Sequence, residues 1–198
     1  MTTIAIVYFS ASGHTHLMAA AIAEGVQQAG QTAHLLSITG DQMQAGRWSD
    51  ADIMTTLNAA DAIVFGSPTY MGGVAAQFKA FIDAASESWF AQLWKDKLAA
   101  GFTHSGSLSG DKQGTLIYLA INAAQHSMHW INVGDMPSQY VGKTDGVNRL
   151  GSFLGVMGQS PLPSGDAEAA LDDGDRLTCI NFGARIAHVS QQLNASTP

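Results

Sequence analysis

The 198-residue chain is poor in cysteine and in positive charge. Its one cysteine, Cys179, permits no internal disulfide and no CxxC pair, so we expect no disulfide scaffold. No Lys or Arg occurs before Arg47, and the formal net charge is -7. Nucleic-acid binding needs clustered cations that neutralise phosphates, so we expect no nucleic-acid partner.

Long apolar runs are also missing from the sequence. There is no stretch of about 18 or more apolar residues, and no basic patch followed by an apolar segment at the start, so we expect neither a membrane span nor a signal peptide. With 46% hydrophobic residues, the chain can bury one core without disulfides or metals. We therefore expect a cytoplasmic protein with a single domain over residues 1–198.

The apolar residues that are present follow a repeating pattern. Short β-branched and apolar runs alternate with segments of helical period, which is typical of parallel sheets covered by helices on both faces. Strands are predicted near residues 4–9, 33–38, 62–66, 98–103 and 129–133. A last helix is predicted over roughly 175–193. The pattern indicates an α/β fold with a doubly wound, five-stranded parallel sheet in the order 2-1-3-4-5.

Residues 134–174 break this pattern. They hold eight of the 21 glycines and three of the five prolines, with one short apolar run at 153–157. A connection this long inside a compact domain usually has a function or interrupts a strand. We interpret 153–157 as the second half of a split fifth strand.

The loop after the first strand reads SASGHT, residues 10–15. Its hydroxyls, the turn at Gly13 and the first amides of the next helix can hold a phosphate without any cationic side chain. An ordinary helix N-cap turn would have the same composition, so this loop alone leaves both interpretations open. The GxxxxGK[ST] and GxGxxG phosphate loops are excluded, because neither pattern follows this strand.

Two further polar, glycine-containing loops follow the third and fourth predicted strands, at residues 67–73 and 103–110. In the predicted sheet order, all three loops meet at the switch point where open α/β sheets bind ligands. Pro68 fixes a turn, and Tyr70 can lie against a ring, although it could also be a half-buried surface aromatic. A phosphate at the first loop and a flat ring at the other two describe FMN. A phosphoacceptor receiver domain would need carboxylates where this chain has Ser10 and Ser67.

These residues resemble the flavodoxin-like superfamily, and within it the tetrameric WrbA-type NAD(P)H:quinone oxidoreductases and the NADPH-dependent FMN reductase family. The resemblance is carried by YFSASGHTHLMAAAIAEGV at 8–26, ADAIVFGSPTYMGGVAAQFKAFID at 60–83, Trp89, KLAAGFTHSGSLSG at 97–110 and QHSM at 125–128. It covers most of residues 3–130 and is weaker afterwards. It implies a flavodoxin-like FMN-binding domain, with NAD(P)H as the hydride donor.

The resemblance also implies which residues bind the cofactor. They are Ser10, Ala11, Ser12, Gly13, His14 and Thr15 for the phosphate, Pro68, Thr69, Tyr70, Met71 and Gly72 for the flavin ring, and Thr103, His104, Ser105, Gly106, Ser107 and Ser109 for the ring edge and ribityl chain. Trp89 would line the substrate pocket. His126 would be the catalytic residue beside the flavin, as a polariser or proton relay.

Two of these residues also have a purely structural interpretation. His126 could close its helix by donating to the last carbonyls, and Trp89 could belong to the core or to a subunit interface. We expect no metal site, because His14, His16 and His104 do not have a ligand spacing supported by carboxylates.

The sequence departs from the family pattern at several points. Ser12 stands where the family usually has an aromatic residue, and the third loop, HSGSLSG, has fewer glycines. The segment between the second and third strands is shorter. The late GDGS stretch has only a faint counterpart at 155–160. These differences bear on the quinone preference and on assembly into a tetramer.

The sequence therefore predicts an FMN-dependent oxidoreductase that transfers two electrons from NAD(P)H to a quinone-type acceptor by a ping-pong mechanism. A homodimer or homotetramer is expected. Two alternatives stay open: a flavodoxin-type electron carrier, and an NADPH-dependent FMN or azo reductase. The scattered acidic residues favour an enzyme over a carrier that docks through an acidic rim.

Overall fold

The computed structural model describes residues 1–160 and 168–196. The strands are β1 (Thr3–Phe9), β2 (Thr32–Ile38), β3 (Met43–Gln44), β4 (Arg47–Trp48), β5 (Ala62–Tyr70), β6 (Gly73–Val74), β7 (Leu98–Ser105), β8 (His129–Trp130) and β9 (Val156–Gln159). The α-helices are α1 (His14–Gln28), α2 (Ala51–Ala59), α3 (Ala76–Ala84), α4 (Ser86–Phe90), α5 (Lys112–Gln125) and α6 (Asp173–Ser196). None of these helices is both long and apolar enough to cross a membrane.

The central sheet is parallel, with β2, β1, β5 and β7 side by side. β1 and β5 are buried almost throughout, because helices cover both faces of the sheet. One core lies around Ile6, Met18 and Phe182. The other lies around Phe65 and Phe78. The predicted α/β class and the predicted order of the first four strands are confirmed.

The fifth position of the sheet is occupied by two separate strands. β8 pairs with the start of β7, where Leu98 faces His129, and β9 pairs with its end, where Phe102 faces Val156. The split-strand prediction is therefore confirmed, although its bounds were wrong. The first half ends at Trp130 rather than at 133, and the second begins at Val156 rather than at 153. The Trp130 indole donates to the Leu154 carbonyl across the gap, at 2.8 Å.

The sequence pattern did not predict the elements between β2 and β5. β3 and β4 form a two-residue antiparallel hairpin, and α2 follows it. Asp50 precedes α2 as its N-cap residue, and its carboxylate accepts from the Ile53 amide at 2.9 Å.

Helices α1 and α6 pack against each other through glycines. A Cβ atom on Gly183 would collide with the Ile22 carbonyl of α1, and one on Gly25 would collide with the Ile180 carbonyl of α6. Both glycines thus permit a close backbone approach. α1 begins at the first loop, so this contact also fixes the position of that loop relative to the carboxyl-terminal helix.

We expect Gly183→Ala to lower the free energy of unfolding by about 1–3 kcal/mol, because the added methyl group must push α1 and α6 apart. Urea denaturation followed by circular dichroism measures this change. Gly40→Ala is the matched control, because its Cβ would have no neighbour within 4 Å. Equal unfolding midpoints for the two variants would contradict the close packing.

Candidate functional site

Three loops meet at the carboxyl ends of β1, β5 and β7: the first loop (10–15), the second loop (67–73) and the third loop (103–110). They enclose a cavity of about 260 Å³, here called the loop cavity. Its lining residues are Ala11, Ser12, His14, Thr15, Pro68, Thr69, Tyr70, His104, Ser105, Gly106, Ser107 and Gly110. The structure thus brings most of the sequence-predicted cofactor residues together.

The first loop leads directly into α1. Gly13 precedes the helix with φ of 93°, a conformation that favours glycine, and it carries no side chain to cap the first amides. The Ser10 hydroxyl accepts from the His16 amide at 3.2 Å. The Ser12 hydroxyl lies 3.1 Å from Nδ1 of His14. The amino end of α1 therefore faces the loop cavity, with hydroxyl groups beside it.

Two imidazoles form one wall of the loop cavity. His14 and His104 are stacked, with ring centroids 4.5 Å apart and planes 11° from parallel. They are only 2% and 3% exposed, yet Nε2 of each has no hydrogen-bond partner among the described residues. Buried polar atoms are normally paired. These two nitrogens therefore lack the partner that burial normally requires, and both belong to residues that line the loop cavity.

Burial also determines the charge of this pair. It lowers the pKa of His14. It lowers the pKa of His104 to about 3, to which the nearby charges of His14, Lys112 and Arg149 contribute further. Both rings are consequently neutral near pH 7.

The second loop contains a tight hairpin turn. Tyr70 pairs with Gly73, and the two residues between them, Met71 and Gly72, have φ of 50° and 79°, as two-residue hairpin turns require. The Ser67 hydroxyl accepts from the Ala75 amide at 2.9 Å and holds the base of the turn. Tyr70 is half-exposed and Met71 is fully exposed, so apolar surface faces outward here.

Three buried threonines join the second and third loops. The Thr69 hydroxyl lies 2.8 Å from the hydroxyls of both Thr103 and Thr115. Thr103 is fully buried and does not line the loop cavity. The structure therefore places the Thr103 hydroxyl in a supporting cluster rather than among the groups that face a ligand.

The third loop has its carbonyl groups occupied by the protein itself. Lys112 Nζ donates to Ser107 O at 2.7 Å and to Leu108 O at 2.9 Å, and the Lys112 amide donates to Ser109 O at 3.2 Å. Gln159 Nε2 donates to the carbonyl of Gly106 at 3.0 Å. Within residues 1–160 and 168–196, the amides of Ser107, Leu108 and Ser109 have no backbone acceptor. The third loop thus has carbonyls that accept from the protein and amides without a backbone acceptor.

A partly buried ion pair supports the third loop from behind. Arg149 binds Asp175 through two hydrogen bonds of 2.8 Å. The Asp175 carboxylate also accepts from the Gln159 amide at 2.9 Å, and the Gln159 side chain reaches Gly106. Burial raises the pKa of Asp175, and the hydrogen bonds from Arg149 and Gln159 oppose this. This network ties β9 and the start of α6 to the third loop, and the sequence pattern did not predict it.

His126 and Trp89 do not lie at the loop cavity. α5 starts after the third loop and runs for 14 residues, about 21 Å, toward the amino-terminal ends of the parallel strands. His126 follows the last residue of α5. There His126 packs on Trp94, with ring centroids 4.3 Å apart, and burial lowers its pKa to about 4. Trp89 lies in α4, directly after α3, and is 43% exposed. Within one chain, neither side chain lines the loop cavity.

No metal centre is visible in the part of the chain that the structure describes. No three His, Cys, Asp or Glu side chains among residues 1–160 and 168–196 form a group that could hold a metal ion.

Comparisons with known proteins agree with this geometry. The sequence profile of the family described as NADPH-dependent FMN reductase matches residues 2–144. The chain is 40% identical to "Flavodoxin FldP" of Pseudomonas aeruginosa, covering 98% of this chain and 100% of that protein. It is 28% identical to an "NAD(P)H dehydrogenase (quinone)" of Gluconacetobacter diazotrophicus, with coverage of 98% and 100%. A crystal structure of a flavodoxin, WrbA-like protein from Agrobacterium tumefaciens superposes with a TM-score of 0.74 at 38% identity, covering 97% and 99%.

We expect His104→Phe to make the stability of the ligand-free chain less sensitive to acid. The pKa of His104 is about 3 in the folded state and about 6.5 in an unfolded chain, so only the unfolded chain binds this proton between those values. Stability contributed by the neutral ring is therefore present above pH 6.5 and decreases as the pH falls toward 3. Urea midpoints at pH 7 and pH 5 measure the effect. His34→Phe, at an exposed position, should keep the wild-type difference between the two midpoints, and an unchanged difference in His104→Phe would contradict the assignment.

Proposed function

The chain belongs to the NADPH-dependent FMN reductase family, and we propose that it is an FMN-dependent oxidoreductase that passes two electrons from NAD(P)H to a quinone-type acceptor. Family membership confirms the resemblance seen in the sequence, and the fold is flavodoxin-like. The observation that carries the proposal is the loop cavity, which is lined by residues of all three loops and by two buried imidazoles whose Nε2 atoms have no partner among the described residues.

The first loop fits the phosphate of FMN. Ser12, His14 and Thr15 at the amino end of α1 line the same cavity as His104, and Nε2 of each imidazole has no partner among the described residues. A neutral imidazole that accepts from Ser12 at Nδ1 carries its proton on Nε2, and so can donate to a phosphate oxygen. Helix amides and neutral donors bind phosphate without a cationic side chain. This agrees with the lack of Lys and Arg before Arg47.

The second and third loops fit the flavin ring. Tyr70 offers a half-exposed aromatic face, and flat heterocycles pack well against such a face. The amides of Ser107 and Leu108 can donate to ring oxygens and nitrogens, because neither amide has a backbone acceptor among the described residues. These residues would therefore orient the ring and stabilise negative charge at its pyrimidine end.

The flavin, when bound, would supply the redox chemistry, and the protein would supply binding, orientation and electrostatics. The exposed Met71 and the small Gly72 leave the outer side of the second loop open. NAD(P)H and the acceptor would use this open side in turn, as a ping-pong mechanism requires. Within one chain, Trp89 and His126 do not line the loop cavity. They could contact the loop cavity of a second copy of the chain, so their proposed roles depend on a homodimer or homotetramer.

A second candidate is a flavodoxin-type electron carrier. The name of the Pseudomonas aeruginosa relative, at 40% identity over nearly the whole chain, favours it. A carrier would use the same loop cavity for FMN but would pass electrons to redox proteins rather than to small molecules. The two candidates therefore differ in their acceptor and not in their cofactor.

We expect Thr15→Val to weaken FMN binding about tenfold while leaving riboflavin binding unchanged. The valine keeps the shape of this buried side chain but removes a hydroxyl beside the phosphate, and a hydrogen bond to a charged group contributes about 1.5–3 kcal/mol. Fluorescence quenching of each flavin gives the two dissociation constants. Thr55→Val, on α2 away from the loops, serves as the control. Equal weakening of both flavins would contradict a phosphate site at the first loop.

The chain loaded with FMN should oxidise NADH or NADPH with benzoquinone much faster than free FMN does. Initial rates at several concentrations of both substrates should give parallel double-reciprocal lines, as expected for a ping-pong mechanism. Oxidation no faster than with free FMN, together with one-electron transfer from the reduced protein to a cytochrome, would instead establish the carrier.

A further inference from the structure

Lys112 is an unusual lysine, because its side chain is fully buried at the wall of the proposed FMN site. Lysine is rarely buried unless it is paired with an acidic group. Here Nζ donates to the Ser105 hydroxyl at 3.0 Å and to the carbonyls of Ser107 and Leu108. All three acceptors belong to the third loop. The cation therefore lies one hydrogen bond behind the residues that line the loop cavity.

The charge of Lys112 has no direct counter-charge among the described residues. No carboxylate in residues 1–160 and 168–196 lies within 4 Å of its Nζ. Burial lowers the pKa of Lys112, the charge of Asp175 raises it, and the charge of Arg149 lowers it further. These two bind each other through two hydrogen bonds, and Arg149 also forms an ion pair with Asp172 at 3.0 Å, so both carboxylates contact Arg149 rather than Lys112. Lys112 Nζ is thus the member of this group of charges that contacts the third loop directly, and no described carboxylate contacts it.

The hydrogen bonds of Lys112 and its charge both make the electrostatic potential at the third loop more positive. They draw the Ser107 and Leu108 carbonyls, which are negative ends of dipoles, toward the ammonium group. The amides of the same two residues are left without backbone acceptors in the described part of the chain. Both effects make the electrostatic potential at the third loop more positive than a plain backbone loop would make it.

We propose that Lys112 is a positioning residue that makes the site bind reduced FMN more tightly, relative to oxidised FMN, than the loop would without it. The proposal rests on the proposed function, because it presupposes FMN in the loop cavity. Reduction by two electrons adds negative charge to the flavin ring. A fixed positive potential in a low-dielectric wall stabilises that added charge. The third loop would thereby raise the reduction potential of the bound cofactor.

The test compares five forms of the full-length chain loaded with FMN: wild type, Lys112→Met, Lys112→Gln, Lys112→Arg and Lys95→Met. Met removes the charge and the donors, Gln removes the charge but keeps a donor, and Arg keeps both. Lys95→Met makes the same change of charge at an exposed position before β7. The dissociation constant for oxidised FMN comes from fluorescence quenching. The midpoint potential of the bound flavin comes from equilibration with a reference dye during slow reduction.

We expect Lys112→Met and Lys112→Gln to reduce the preference for reduced FMN about tenfold, which lowers the two-electron midpoint potential by about 30 mV. Lys112→Arg and Lys95→Met should keep the wild-type potential. If Met destabilises the fold, Gln still tests the charge, because it retains a hydrogen-bond donor for the loop. If Lys112→Met and Lys112→Gln both keep the wild-type midpoint potential, the proposal is overturned. This holds even if both variants bind oxidised FMN more weakly, because Lys112 would then have a purely structural role. A wild-type chain that does not bind FMN would overturn the proposed function itself.

Discussion

The pairing of β5 with β7 is the constraint on which the candidate site depends. Their parallel register extends from Ala62 opposite Leu98 to Pro68 opposite His104, so the second and third loops leave the sheet side by side. Next to these ladder pairs, the hydroxyls of Thr69, Thr103 and Thr115 strengthen the connection through two hydrogen bonds of 2.8 Å. Because these bonds are buried, water does not compete with them, and the two loops keep a fixed spacing.

The electrostatics of the site follow from that arrangement. The chain is acidic and has no Lys or Arg in its first 46 residues, so the proposed phosphate site at the first loop would rely on helix amides, hydroxyls and two neutral imidazoles. Lys112 is buried behind the third loop. Among the described residues, it is the one lysine that donates to a carbonyl of that loop. Neutral donors would therefore serve the phosphate, whereas the full charge lies nearer the loop that would hold the ring.

Much of the fold was accessible from sequence, because buried parallel strands have continuous apolar runs and α1 has a clear apolar face. The three polar loops were found for the same reason, since each follows such a run. Contacts between distant segments were not accessible. Nothing in the local sequence pairs Arg149 with Asp175, or indicates that Lys112 is buried, because lysine is ordinarily a surface residue. The resemblance suggested His126 as a catalytic residue. The direction of α5 places His126 at the amino-terminal ends of the strands, and the sequence alone does not reveal that direction.

The interruption of the fifth strand has an evolutionary consequence. β8 and β9 are each aligned by their own contacts with β7, one with its start and the other with its end, so neither half depends on the length of chain between them. Insertions or deletions at the exposed residues 142–145, which lie outside the Arg149 network, can therefore accumulate without shifting the register of either half. This edge of the sheet gives descendants of the fold a place to acquire new surface while the three loops at the switch point stay unchanged.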